Sequence, residues 1–167
     1  HNLPIRWTTP LGIVVHQPSH EIETRQIETQ LAGRLRLRIG TFSEKLDSNK
    51  QRQGASPNFV HSLDATHHHM TVLAATGANG FTEADGFAGA GGITGFAMVH
   101  DSFGTHAADA DRLHRLTRQT FNYLYSQYDP LDNLVQENSV SSITFPPVPS
   151  KGTLDIREVL NSEFFFG

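Results

Sequence analysis

A lone carboxylate, Asp101, stands in the run His100-Asp101-Ser102-Phe103-Gly104, directly after the apolar stretch Phe96-Ala97-Met98-Val99. That order predicts a strand running into a turn with an acidic tip. No Lys or Arg occurs between Arg52 and Arg112, so nothing nearby in sequence neutralises the charge. Holding an unpaired carboxylate against an apolar strand is costly unless positive charge comes from elsewhere. A divalent metal ion would supply it; an exposed turn aspartate of the sort frequent in hairpins is the plainer alternative. His100 beside it could hydrogen-bond a phosphate or sugar, or only orient the turn. Phosphoryl or nucleotidyl transfer on two metal ions needs carboxylates converging from separate elements, and one turn aspartate supplies half of such a site.

Two other groupings carry chemistry. His61, Asp64 and His68 are three and four residues apart and share one side of a helix. Such a set suits zinc, but equally a solvated face or a surface that touches nucleic acid. The run His67-His68-His69 cannot converge on one ion, because consecutive helical residues point about 100° apart. The second grouping is Arg34, Arg36 and Arg38, which alternate with Leu35, Leu37 and Ile39, with Arg25 upstream. A two-stranded ribbon fits the DNA major groove, where arginine reads guanine; an edge strand kept soluble by charge has the same pattern. The glycines of 76–95 lack the Lys-Ser/Thr of a phosphate loop, and there is no Gly-x-Ser-x-Gly elbow.

The elements that must position these residues follow from local pattern. Residues 6–17 read as two short strands around the turn Thr9-Pro10-Leu11-Gly12, and 22–39 as a second extended segment. Residues 40–56 are polar and aperiodic, which predicts a loop. Pro57 then suits the first turn of a helix running to about Ala75, with Phe59, Leu63, Met70, Leu73 and Ala74 near one stripe. Residues 76–95 hold seven of the fourteen glycines and predict a flexible loop, an insertion between fixed elements. A hairpin over 96–99 and 102–106 follows. Next comes a helix from about Ala108 to Tyr128, burying Leu113, Leu116, Thr120 and Leu124, which Asp129-Pro130 ends or interrupts. Prolines 146, 147 and 149 mark an extended link to a short helix over Leu154–Asn161, and three aromatics stand near the end.

With 167 residues the chain suits one domain. The absence of cysteine excludes disulfides and thiolate metal sites. No apolar run approaches the roughly 20 residues that cross a bilayer, and no membrane partner is expected. The chain opens on His1 with no signal-like segment, so a piece of a longer protein is expected. A net charge of −4 argues against a generally basic nucleic-acid binder. Its distribution is uneven. Residues 25–52 carry seven basic residues against Glu28, Glu44 and Asp47, whereas 53–111 carry six acidic residues and no basic one. That division fits a protein holding polyanionic phosphate in one place and metal in another.

Taken together, Arg6-Trp7-Thr8-Thr9-Pro10, Ser56-Pro57-Asn58-Phe59-Val60-His61-Ser62-Leu63-Asp64, Val99-His100-Asp101-Ser102-Phe103-Gly104-Thr105 and the ending Leu154-Asp155-Ile156-Arg157-Glu158-Val159-Leu160 through Phe166 closely resemble one family. It is the single-subunit DNA-directed RNA polymerases of bacteriophages and mitochondria, in their carboxy-terminal region. The resemblance covers essentially the whole chain apart from the Gly-rich stretch. It implies an α+β fold: a palm-type antiparallel hairpin packed with two long helices, an amino-terminal β-ribbon and a short carboxy-terminal helix. Residues 1–167 would form a single palm and fingers-adjacent portion, with 14–39 as the promoter specificity hairpin.

The resemblance further implies that Asp101 is one of two catalytic aspartates binding Mg²⁺, with His100 its usual neighbour. His61 would lie near the primer-template end and touch the minor groove, and Arg25, Arg36 and Arg38 would contact bases or phosphates. The partners implied are DNA template and promoter, ribonucleoside triphosphates, the RNA product and the missing amino-terminal part of the same polymerase. That part carries the second aspartate and the fingers helix with its Lys, Arg and Tyr, so the 167 residues alone are not expected to polymerise. The Gly-rich stretch is longer than the family's connector, and the chain ends Phe-Gly where phage enzymes end Phe-Ala. Gly104 after Phe103 resembles phage enzymes, where organellar ones commonly carry Trp. This implies a phage-encoded protein in the cytoplasm of an infected cell, with a mitochondrial source disfavoured. Two other functions fit single groupings: a non-catalytic DNA-binding module using the arginines, and a small metal-dependent hydrolase using His61, Asp64 and His68.

Overall fold

The computed structural model describes residues 3–29, 35–78, 80–140 and 144–165. Three separate two-stranded antiparallel sheets are joined by three α-helices, a mixed α+β arrangement. Strands β1 (Ile5–Thr8) and β2 (Val14–Gln17) pair around the Thr9–Gly12 turn, as the sequence predicts. Strands β3 (His20–Thr29) and β4 (Leu35–Leu46) form a long ribbon. The ribbon therefore extends seven residues beyond Ile39, and Val14–Gln17 belongs to the first sheet instead.

Helix α1 (Ser48–Thr76) starts nine residues before Pro57. The expected loop over 40–56 is thus the end of β4 followed by the first turns of α1. Asp47 caps the helix by accepting hydrogen bonds from Asn49 N at 3.1 Å and Lys50 N at 3.0 Å. The turns before Pro57 are mostly exposed and lack an apolar stripe, so periodicity gave no sign of them. At 29 residues α1 is about 44 Å long. From Phe59 onward its buried face carries Phe59, Leu63, Met70 and Ala74, close to the expected stripe.

Past α1 the chain is not loose. Gly77 takes a left-handed conformation (φ 74°) that ends the helix, and Gly91 comes so close that a Cβ on Gly77 would lie 3.0 Å from its Cα. Gly91 N and Ile93 N donate to the carbonyls of Ala74 and Ala75 at 2.9 and 3.0 Å. Phe81, Phe87 and Ile93 are buried, and Arg112 donates to the carbonyls of Gly89 and Gly91. The glycines here serve a compact, packed loop over the end of α1, so the expectation of flexibility fails.

Strands β5 (Phe96–Val99) and β6 (Ser102–Thr105) form the predicted hairpin. A Cβ on Gly104 would meet the Ala97 carbonyl oxygen at 2.7 Å, so only glycine fits across this ladder without a shift. Helix α2 (Ala110–Gln127) buries Leu113, Leu116, Thr120 and Leu124 as expected. Asp129 and Pro130 end it and also start α3 (Pro130–Asn138), which the sequence left unassigned: Asp129 accepts from Asp132 N at 3.2 Å, and Pro occupies the first turn. The short helix near the end is a 3₁₀ helix over Ile156–Asn161.

The main core joins α1, the Gly-rich loop and α2 through Met70, Phe81, Phe87, Ile93, Leu113 and Leu116. A smaller one holds Trp7, Phe59 and Leu63, with Trp7 Nε1 donating to Ser62 Oγ at 2.8 Å. No helix among the described residues is long and apolar enough to cross a membrane. Leu116 is fully buried between α1 and α2. Leu116→Ala should cost about 2–5 kcal/mol, read as a lower denaturant midpoint at an unchanged slope.

Candidate active site

The β5–β6 hairpin stands on α1 through Phe103, whose ring lies 5.2 Å from that of His68 and 5.5 Å from that of His67. Val99 pairs with Ser102, leaving His100 and Asp101 as a two-residue turn. His100 has φ 52°, the one positive value at a non-glycine among the described residues. Such a backbone is uncommon outside glycine, and strain of this kind clusters at functional sites. Asp101 is exposed and makes no ion pair with any described residue. It borders an open cleft of about 730 Å³ between β6 and α2, also lined by Ser102, Thr105, Asp111, His114 and Phe165.

The hairpin owes its position to a polar seam between α1 and α2. His67 is buried, and its Nε2 donates to the Thr117 carbonyl at 2.8 Å. The Thr71 and Thr120 hydroxyls lie 2.8 Å apart, one donating to the other while the acceptor of that bond donates back to a carbonyl of its own helix. Burial lowers the pKa of His67 below the ordinary 6.5, against smaller opposing effects from the Thr117 carbonyl and Asp64. Burial also lowers that of His68, helped by its neighbour His69. The consecutive histidines separate by face as the helical step requires: His67 buried, His68 half-buried, His69 exposed.

His61 is exposed on α1, seven residues before His68 and thus about two turns along the same side. No group of three or more His, Asp or Glu placed to hold a metal occurs among the described residues, so His61, Asp64 and His68 do not form such a set. On the ribbon, Gln26 pairs with Arg38 and Glu28 with Arg36, whereas Arg25 pairs with Ile39 and Ile27 with Leu37. Alternate pairs share a face. Arg36 and Arg38 therefore lie on one side and Arg25 on the other, among aliphatics. Arg36 Nε donates to Glu28 at 2.8 Å. Arg34 lies outside the described residues.

Sequence reasoning met His67 only within the run His67-His68-His69 and passed over Arg118. Both are polar residues buried in helix faces that otherwise look apolar, and single-position patterns do not separate them from surface residues.

Residues 1–141 match the family model described as DNA-dependent RNA polymerase. The chain belongs to that family. DNA-directed RNA polymerase 3, chloroplastic, of Nicotiana sylvestris is 41% identical over 167 residues, covering 99% of this chain and 15% of that protein. DNA-directed RNA polymerase 2, chloroplastic/mitochondrial, of Arabidopsis thaliana is 40% identical with the same coverage. DNA-directed RNA polymerase 1A of Nicotiana tabacum is 38% identical and is covered over 96% of its length. The chain thus spans about 15% of the length of the first two relatives.

These similarities agree with the single-subunit polymerase resemblance carried by the four motifs. They overturn the expected phage source and, with it, a place in the cytoplasm of an infected cell, because the polymerases matched are plant proteins with chloroplastic or mitochondrial names. That expectation leaned on Gly104. The close Ala97 carbonyl gives this glycine a local steric reason, so it is a poor marker of lineage.

Because burial keeps His67 neutral when folded, the unfolded chain takes up a proton that the folded chain resists. Stability from this group is complete above the unfolded value of 6.5 and is lost as pH falls below it. Thermal melts between about pH 7.5 and 5 should show a falling midpoint. His67→Gln, though less stable throughout, should show a flatter decline; an unchanged decline would mean that the buried imidazole is not its source.

Proposed function

We propose that this chain provides the carboxy-terminal palm region of a DNA-directed RNA polymerase, which joins ribonucleoside triphosphates along a DNA template. The carrying observation is Asp101: exposed, without a cationic partner among the described residues, at a strained turn over an open cleft, in a chain of this family.

Hard oxygen donors suit Mg²⁺, and the accessible Asp101 carboxylate fits as one ligand. The family resemblance implies that a second carboxylate would come from polymerase sequence outside these 167 residues. A bound divalent ion would lower the pKa of the attacking hydroxyl and offset charge on the leaving pyrophosphate. His100 holds the turn in its left-handed conformation with the aspartate at the tip, and its own exposed ring would be free to hydrogen-bond a phosphate or sugar. His61, exposed two turns from His68, is placed to touch a nucleic-acid backbone that runs along α1.

The ribbon serves as the DNA-reading element. Its face with Gln26 and Arg38 pairs two side chains that read base edges, whereas Arg36 is already engaged by Glu28. Arg25 would meet DNA only from the opposite side. A purely DNA-binding module would use the same ribbon but gives no account of the Asp101 cleft.

Asp101→Asn in the full polymerase should reduce templated RNA synthesis at least about a hundredfold with template binding retained. Activity within a few-fold of normal would sink the assignment, as would templated synthesis by the isolated 167-residue chain. On the ribbon, Arg38→Ala should lower the slope of log affinity against log salt by about one in duplex titrations. Arg36→Ala should change it less.

A further inference from the structure

Arg118 is a buried guanidinium, only 4% exposed, with no ion pair to a carboxylate among the described residues. A buried charge without a counter-ion is expensive unless its donors are satisfied. Here they are satisfied by carbonyls and an imidazole. Nε and one terminal nitrogen donate to the Ser162 carbonyl at 3.2 and 2.8 Å. The other terminal nitrogen donates to the His114 carbonyl at 3.2 Å and to His114 Nε2. Its guanidinium carbon lies 5.4 Å from the centre of the Phe165 ring, which also meets Phe121 edge-on at 5.0 Å.

The forked contact to one carbonyl fixes orientation as well as distance. It ties the segment after the last 3₁₀ helix to the middle of α2. Phe165 lines the same cleft as Asp101, and so does His114. Phe164, one residue earlier, is 82% exposed and does not line the cleft. The tail is thus held in a register that brings the Phe165 ring to the cleft.

We infer that Arg118 is a positioning residue: through the Ser162 carbonyl and the Phe165 ring it sets the aromatic wall of the Asp101 cleft, against which the nucleotide substrate packs. This rests on the polymerase function proposed above. Arg118 itself reaches no substrate. Its charge is spent on the tail, and Phe165 supplies the apolar surface that a base or ribose covers.

The test uses the full polymerase with Phe165→Ala, Arg118→Gln, Arg118→Lys and the double variant Arg118→Gln/Phe165→Ala. Phe165→Ala and Arg118→Gln should each raise the nucleotide KM about tenfold with a smaller fall in kcat. The double variant should match the singles, because both remove the same wall. Arg118→Lys keeps the charge without the fork and should fall between. Hydrogen exchange should speed up at 162–165 in the Arg118 variants while the amides of α1 stay protected.

Multiplying KM effects in the double variant would overturn the inference. So would an unchanged KM in Phe165→Ala, or Arg118→Gln loosening α1 and the tail alike. If Asp101→Asn abolishes synthesis while Phe165→Ala leaves KM unchanged, only the tail inference falls. If Asp101→Asn is active, the parent assignment falls instead.

Discussion

The two long helices are locked to one another by a neutral histidine. His67 Nε2 donates to the Thr117 carbonyl, and the Thr71–Thr120 hydroxyl pair lies one turn further along. A hydrogen-bonded contact of this kind tolerates less sliding than an all-leucine interface, because each displaced donor would be left unpaired in a dry environment. The hairpin inherits that rigidity. Phe103 rests on the rings of His67 and His68, so the turn with Asp101 is referenced to the helix pair through one aromatic contact.

Positive charge is treated differently in different parts of the molecule. Arg118 is taken out of water and satisfied by uncharged acceptors, which makes it a fastener. Arg112 pairs with Asp109 at 2.9 Å and also reaches the carbonyls of the Gly-rich loop, tying that loop to the start of α2. The arginines of the ribbon remain in solvent. None of the cations adjoins Asp101 among the described residues, which leaves that carboxylate open to an external one.

Much of this was legible in the sequence. The β5–β6 hairpin, its acidic tip and the buried stripe of α2 follow from alternation, turn chemistry and helical spacing, all of them local signals. The first turns of α1 were not legible, since a solvated helix held by the Asp47 cap has no apolar period to betray it. Glycine abundance over 76–95 suggested looseness. The same residues in fact supply the left-handed turns of a packed loop whose anchors, Phe81, Phe87 and Ile93, are too widely spaced to form a pattern. The roles of His67 and Arg118 depend on carbonyls 50 and 44 residues away, and long-range pairings of backbone acceptors leave no trace in local composition.

Among the described residues the ribbon β3–β4 adds no side chain to either core, and Ile22, Ile27, Leu37, Ile39 and Phe42 all face solvent. Substitutions along it therefore leave the packing of α1 and α2 untouched. What the ribbon touches can thus change without disturbing the scaffold beneath the acidic turn.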